Sequence, residues 1–273
     1  MHDILIRKCL RLPYLPRADR KKAVIERPND GAASERPLVV ELVGPAGAGK
    51  TALLHAISAR DASVQSGLLI DRLQFLPLIL WHSLALAPAA VELFAENPRS
   101  WWPGMRQLVR LRTLHPALAR EGRAAGRAII LDEGPLFSLA RLMVFQNAHS
   151  GHGRLAQEWR AELTRWTEEL DVVVWLDAPD AVLSERIRNR RKRHMVKNGT
   201  EREVTEFLGR YRSAYRNVLD HLHAAGRVRV VEIKTNESTT DRIAEDILVA
   251  LGTRRADESR GDRSVNPARC DTA

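Results

Sequence analysis

The stretch "LVVELVGPAGAGKTALLHAI", residues 38 to 57, limits the possible folds more than any other part of the chain. An apolar run leads into a glycine-rich loop, which opens into a helix-forming segment. Gly44, Gly49, Lys50 and Thr51 complete the pattern G-x-x-x-x-G-K-[ST]. Each residue type has a physical reason to be there. The glycines let the backbone curl around an anion with its amides pointing inward. The helix that follows turns its positive end toward the same anion. Lys50 can reach the outer phosphates of a nucleotide, and the Thr51 hydroxyl can ligate Mg²⁺. The bland alternative is a chance match in a Gly/Ala-rich loop. The apolar strand before it and the helix after it argue against that.

The rest of the chain agrees with an α/β reading. Apolar runs recur at 38–43 ("LVVELV"), 67–70 ("GLLI"), 128–131 ("AIIL"), 171–176 ("DVVVWL") and 227–233 ("RVRVVEI"). Strands without polar alternation are buried on both faces. The segments between them are too long for hairpins, so they predict right-handed crossovers and a parallel sheet. Five strands make one three-layer domain over 37–251. It is preceded by a basic, Pro-punctuated arm (1–36) and followed by a tail (252–273) too poor in apolar residues to fold. The segment from Leu73 to Ala125 is long for one crossover and is expected to hold two or more helices. Within it, "LPLILWHSLALAPAAVELF" (76–94) approaches the length of a membrane span. His82, Glu92 and two prolines interrupt it, so a buried helix or helix pair is favoured over a span, with an apolar substrate pocket between the two readings.

Two further regions carry chemistry. "AIILDEG" is a strand that ends in Asp132 and Glu133. In an open parallel sheet, strand ends border the ligand crevice. Asp132 is therefore the expected metal-side carboxylate, and Glu133 is expected to take a proton or orient an acceptor. The alternative is a capping or salt-bridging role at a strand end. In "LDAPDAVLSERIRNRRKRH", Arg186, Arg190 and Arg193 are spaced i, i+4, i+7 and are expected to share one helical face. A dense cationic face repels itself unless it meets anions, and arginine's planar fork suits phosphate oxygens. A solvated basic helix is the competing reading.

Charge and cysteine usage narrow the partners. The chain has 273 residues, 43 Lys and Arg against 34 Asp and Glu, and a formal charge of +9. That balance favours anionic partners. The clustering of the cations does not imply a nucleic-acid footprint over a whole face. Cys9 and Cys270 fall in the two tails and form no ligand spacing, which points to a reducing, cytoplasmic setting. "NPRSWWPGMRQLVRLRTLH" carries Trp101, Trp102, Arg106 and Arg110. Arg106 and Arg110 share a helical face and can hold an acceptor's phosphate, and the tryptophans can stack on a base or sugar. Core packing with a solvated edge is the favoured alternative for this segment. His149 and His152 lie in a Gly-rich loop with no further ligands nearby in sequence, so a metal site there is not expected.

These residues resemble the nucleoside-monophosphate-kinase-like P-loop kinases, and within them the thymidylate-kinase-like group. The resemblance rests on "GPAGAGKT", "LDEG", "VVVWLDAPDAVLSERIRNRRKR" and "EFLGRYRSAYRNVL", which span most of 38–235. It implies a five-stranded parallel sheet, ATP as donor with Mg²⁺, and a mobile lid. Gly44, Pro45, Ala46, Gly47, Ala48, Gly49, Lys50 and Thr51 would hold the donor, with Thr51 and Asp132 on the metal. Arg186 and Arg190 would stand at the lid, with Arg193 beside the nucleotide. The acceptor half departs from thymidylate kinases. Their Arg-Glu-Pro-like and Asp-Arg stretches are replaced by "LLIDRLQF" and "LDEGPLF". In the related deoxynucleoside kinases a carboxylate follows the second strand. Asp71 sits at that place, with Arg72 beside it.

The reading is therefore an ATP-dependent phosphotransferase acting on a nucleotide, nucleoside or other small acceptor. Asp71, Arg72, Arg106 and Arg110 are its acceptor residues. Asp71 and Glu133 tilt the acceptor toward a hydroxyl. The competing classes are a P-loop NTPase of the AAA or ABC kind, with Glu133 activating water, and a polynucleotide 5′-kinase. Nucleic acid is not favoured as partner, stable membrane insertion is not expected, and a homodimer is left open.

Overall fold

The computed structural model describes residues 36–67, 73–96, 98, 101–121, 128–146 and 153–251. The arm, the tail, Cys9, Cys270, Asp71, Arg72, His149 and His152 lie outside these residues. The described chain is an α/β fold around one five-stranded sheet. Its strands are β1 (Leu38–Val43), β2 (Val64–Ser66), β3 (Ala128–Asp132), β4 (Val172–Asp177) and β5 (Arg229–Lys234). They lie in the order β2-β3-β1-β4-β5, and every pairing is parallel. Four of the expected strands stand within a residue or two of their predicted places. The remaining strand, β2, covers 64–66; of the expected "GLLI" run only Gly67 lies among the described residues. Gly67 follows β2 at φ +71 and donates its N–H to the Ile130 carbonyl.

β1 is the central strand and is buried at all six positions. Its side chains alternate between two cores. Val39 and Val43 join Ile129, Leu131, Val173 and Trp175 on one face, under α4 (Trp101–Glu121), α5 (Pro135–Gln146), α6 (Arg154–Glu169) and part of α8 (Glu201–Ala225). Val40 and Leu42 join Ile130, Val174 and Leu176 on the other, under α1 (Lys50–Arg60), α7 (Asp180–Asn189) and α9 (Thr240–Ala250). Helices cover both faces because each parallel connection must cross the sheet. The helix ends are specified locally. Thr200 and Glu203 form a reciprocal capping box at the start of α8, and Gly226 closes that helix at φ +68.

The expected helices between β2 and β3 are a turn of 3-10 helix (Leu73–Phe75), α2 (Leu76–Ala85), α3 (Ala87–Glu96) and α4. The "LPLILWHSLALAPAAVELF" segment is a helix pair, but α2 is not buried: it has no fully buried residue. Leu76, Leu80, Trp81 and Leu84 are exposed. Among the described residues no single helix is long and apolar enough to cross a membrane. α2 and α3 pass that test only as a pair, and they are bent by 61°.

Candidate active site

The loop between β1 and α1 is built from backbone that only glycine tolerates. Gly44, Gly47 and Gly49 all have positive φ. A Cβ on Gly44 would stand 2.1 Å from the Leu176 carbonyl oxygen, and one on Gly47 would stand 2.9 Å from that of Leu183. The loop is thus pressed against the end of β4 and the first turns of α7. α1 begins at Gly49 with no side-chain cap on its first turn. Uncapped N–H groups at a helix start are a natural anion site. The Lys50 ammonium folds back and donates to the carbonyls of Gly44 (2.8 Å) and Pro45 (3.1 Å). Burial pulls its pKa down, while Asp132 and Glu133 oppose that shift. Thr51 Oγ1 donates to Asp132 Oδ2 at 2.7 Å. Asp132 Oδ1 is buried without a hydrogen-bond partner. A hydroxyl and a half-satisfied carboxylate side by side are hard oxygen ligands of the kind Mg²⁺ takes.

The end of β3 shows why "DEGP" reads as it does. Glu133 has φ +58, the one non-glycine residue with positive φ among the described residues. That conformation costs about 1–2 kcal/mol for an L-residue. It is held by Arg110, whose Nη2 donates to the Glu133 carbonyl at 2.8 Å. The turn leaves the Glu133 side chain exposed and sends the chain into α5 at Pro135. The first N–H groups of α5 are capped from another strand. Glu41 of β1 accepts from the amides of Leu136 (2.9 Å) and Phe137 (3.0 Å). A Cβ on residue 134 would lie 2.8 Å from the Glu41 carboxyl carbon, so this approach requires Gly134. Glu41 is fully buried, and burial pushes its pKa up to about 8 despite the two amides and Arg110. No sequence motif pointed to Glu41; the available signal was a lone acid within an apolar strand.

The arginines do converge, but not by the predicted route. α7 ends at Asn189, and Arg190 is its extended C-cap with ψ 139. Arg186, Arg190 and Arg193 therefore do not share a helical face. After Ile187, the residues up to His194 offer no apolar side chain to bury, so nothing extends the helix against its own charge repulsion. The irregular 190–199 segment nevertheless brings Arg190, Arg193 and His194 to the loop cavity beside Arg186, Lys50 and Thr51. That cavity measures about 690 Å³. The arginines differ in role. Arg186 is tied down: it donates to Thr235 Oγ1 (2.8 Å), the Thr235 carbonyl (3.1 Å) and the Gly47 carbonyl (3.4 Å). Arg190 and Arg193 make no side-chain hydrogen bond or ion pair among the described residues. Arg186→Ala is accordingly expected to cost about 1–3 kcal/mol of stability. Arg190→Ala should leave stability within about 0.5 kcal/mol. Urea denaturation of both variants checks this; equal losses would contradict the assignment. Asp177 at the end of β4 is structural: Arg212 grips it through Nε at 2.9 Å and also holds Asp180.

A second cavity of about 870 Å³ opens between α2, α3, α4 and α5. Arg106 and Arg110 lie on it, one turn apart on α4. Trp101 and Trp102 form part of its wall; Trp101 is half-buried and packs against the core, whereas Trp102 is 57% exposed. Core packing with a solvated edge, the favoured expectation, describes Trp101 and Trp102 respectively, and both side chains also face the cavity. Glu133, Phe137 and Arg141 line both cavities and form their common wall. Arg141, His194 and Tyr211 also line the loop cavity without having been singled out by sequence. They carry no local motif and come from three separate elements. Burial, with Arg190 and Lys50 adding to it, lowers the His194 pKa. Among the described residues no group of three or more His, Cys, Asp or Glu is arranged to hold a metal by itself. Comparison with protein-family models and with curated proteins returned no match.

Proposed function

We propose that the protein is a Mg²⁺-dependent kinase of the three-layer P-loop type, which transfers the γ-phosphoryl group of ATP to a small-molecule acceptor. The observation that carries this reading is the common wall. A glycine-loop cavity and a second cavity lined by arginines meet at Glu133, Phe137 and Arg141. Phosphoryl transfer needs two chambers that share one reacting point, whereas hydrolysis needs only the first. In this reading the loop amides and Lys50 hold the donor phosphates. Thr51 and Asp132 would hold Mg²⁺, which neutralises charge on the phosphates when bound. Arg190 and Arg193, unpaired on the 190–199 segment, would close over the migrating group as a lid, and Arg186 would brace that lid against the loop. The acceptor oxygen bonds to the γ-phosphorus as the bond to the ADP oxygen breaks. A hydroxyl acceptor would hand its proton to Glu133.

The test is ATP consumption by the purified full chain, with and without a panel of nucleosides, nucleoside monophosphates, sugars and phosphomonoesters. ADP formation is expected to depend on an acceptor. Full-rate ADP formation without any acceptor would assign the site to hydrolysis instead.

A further inference from the structure

The second cavity also describes the molecule it takes. Resting on the transfer reading for what is done to that molecule, we infer that the acceptor is an amphiphilic phosphate monoester with a hydrocarbon body, not a nucleotide. Charge supplies the first half of the argument. Arg106, Arg110 and Arg141 line the cavity, and Glu133 is the one carboxylate among its described lining residues. The Arg106 side chain makes no hydrogen bond or ion pair among the described residues, and the Arg110 Nε is buried without a partner. A dianionic phosphate would balance the remaining positive charge and satisfy the Arg110 donor. At neutral pH such a phosphate has no proton that a base must remove, so Glu133 then acts as a charge partner of the arginines. One γ-phosphoryl group moves to the acceptor phosphate, giving a diphosphate monoester and ADP with total charge conserved.

The lining supplies the second half. A nucleobase is read by several matched donors and acceptors. The two hydroxyls of this cavity are already committed to their own helices: Ser83 donates to the Ile79 carbonyl and Thr113 to that of Val109, each at 2.7 Å. Apart from the charged residues, the polar groups left among the described lining residues are the Gln107 amide and the indole N–H donors of Trp101 and Trp102, too few acceptors to match a base edge. Away from the arginines the wall is Val91, Phe94, Trp101 and Trp102. Val91 and Phe94 are 69% and 54% exposed, large apolar surfaces that a hydrocarbon would cover. Along α4, Trp102 stands about 12 Å from Arg110 at 1.5 Å per residue, which sets the length of the body.

The experiment titrates the full chain, without ATP, against ethyl, hexyl and decyl phosphate, decanol, dTMP and CMP. Tryptophan fluorescence is the readout, below micelle-forming concentrations. Affinity should rise about two- to fourfold per methylene up to decyl phosphate. Decyl phosphate should bind about tenfold or more tightly than decanol. Arg106→Ala should erase that preference, and Trp102→Ala should flatten the chain-length dependence while leaving ethyl phosphate unchanged. Affinity independent of chain length, or tighter binding of dTMP or CMP than of decyl phosphate, overturns the inference. ATP binding is measured separately. Chain-length-dependent binding by a protein that does not bind ATP would sink the kinase reading and leave the ligand class standing. ATP binding with no amphiphile preference would do the reverse.

Discussion

Lys50→Ala is expected to lower acceptor-dependent turnover by about 10²–10³-fold, the usual loss when one preorganised charge donor is removed from a transferring group. Folding should be almost untouched. In the ligand-free chain Lys50 donates to the carbonyls of Gly44 and Pro45, and Gly44 and Lys50 line a cavity that water can enter. Its lowered pKa says that burial already disfavours the charge. The position is costly for the free protein and is offset in part by Asp132 and Glu133; in the proposed mechanism bound phosphates would offset the rest. Turnover measured beside a urea denaturation curve separates the two effects. A variant with unchanged turnover would remove the glycine loop from the proposed mechanism. A variant that fails to fold would make Lys50 a structural residue.

The second large effect is on stability, and it sits at Glu41. Its folded pKa, about 8, lies above the ordinary carboxylate value of 4.5. The folded state therefore binds this proton more tightly than the unfolded chain does. The associated stability is fully present below about pH 4.5 and is lost as pH rises through about 8. At about 1.4 kcal/mol per pH unit the loss is on the order of 5 kcal/mol, a large share of a domain's stability. Glu41→Gln cannot ionise, keeps one acceptor for the α5 amides and should remove this slope. Denaturation midpoints of both proteins at pH 5, 7 and 9 provide the check. The wild type should lose ground to the variant as pH rises. Parallel pH profiles would show that Glu41 is not the group responsible.

These two residues mark the difference between what could be read along the chain and what could not. Lys50 belongs to a contiguous pattern in which each residue acts on its neighbours, so its place followed from eight consecutive letters. Glu41 acts on amides 95 residues away. Nothing periodic links it to Leu136, and only the β1–β3 pairing makes them neighbours. The arginine segment falls between these cases. Its residues do reach the loop cavity, as expected, but the helical spacing that motivated the expectation ends at Asn189. Trp101 and Trp102 were legible as large apolar groups, yet their wall position depends on where α3 and α4 part.

By itself the sequence determined the glycine loop, the places of four strands, the parallel sheet and the two acids at the end of β3. These follow from local sterics and from the burial of apolar runs on both faces. Only the tertiary structure decided that Gly134 is required by Glu41, that Arg110 holds Glu133 in its left-handed turn, and that two cavities meet there. The reason is physical. Local conformation is set by neighbouring side chains, whereas a site is set by which distant segments share a strand end, and that depends on the order of strands across the sheet.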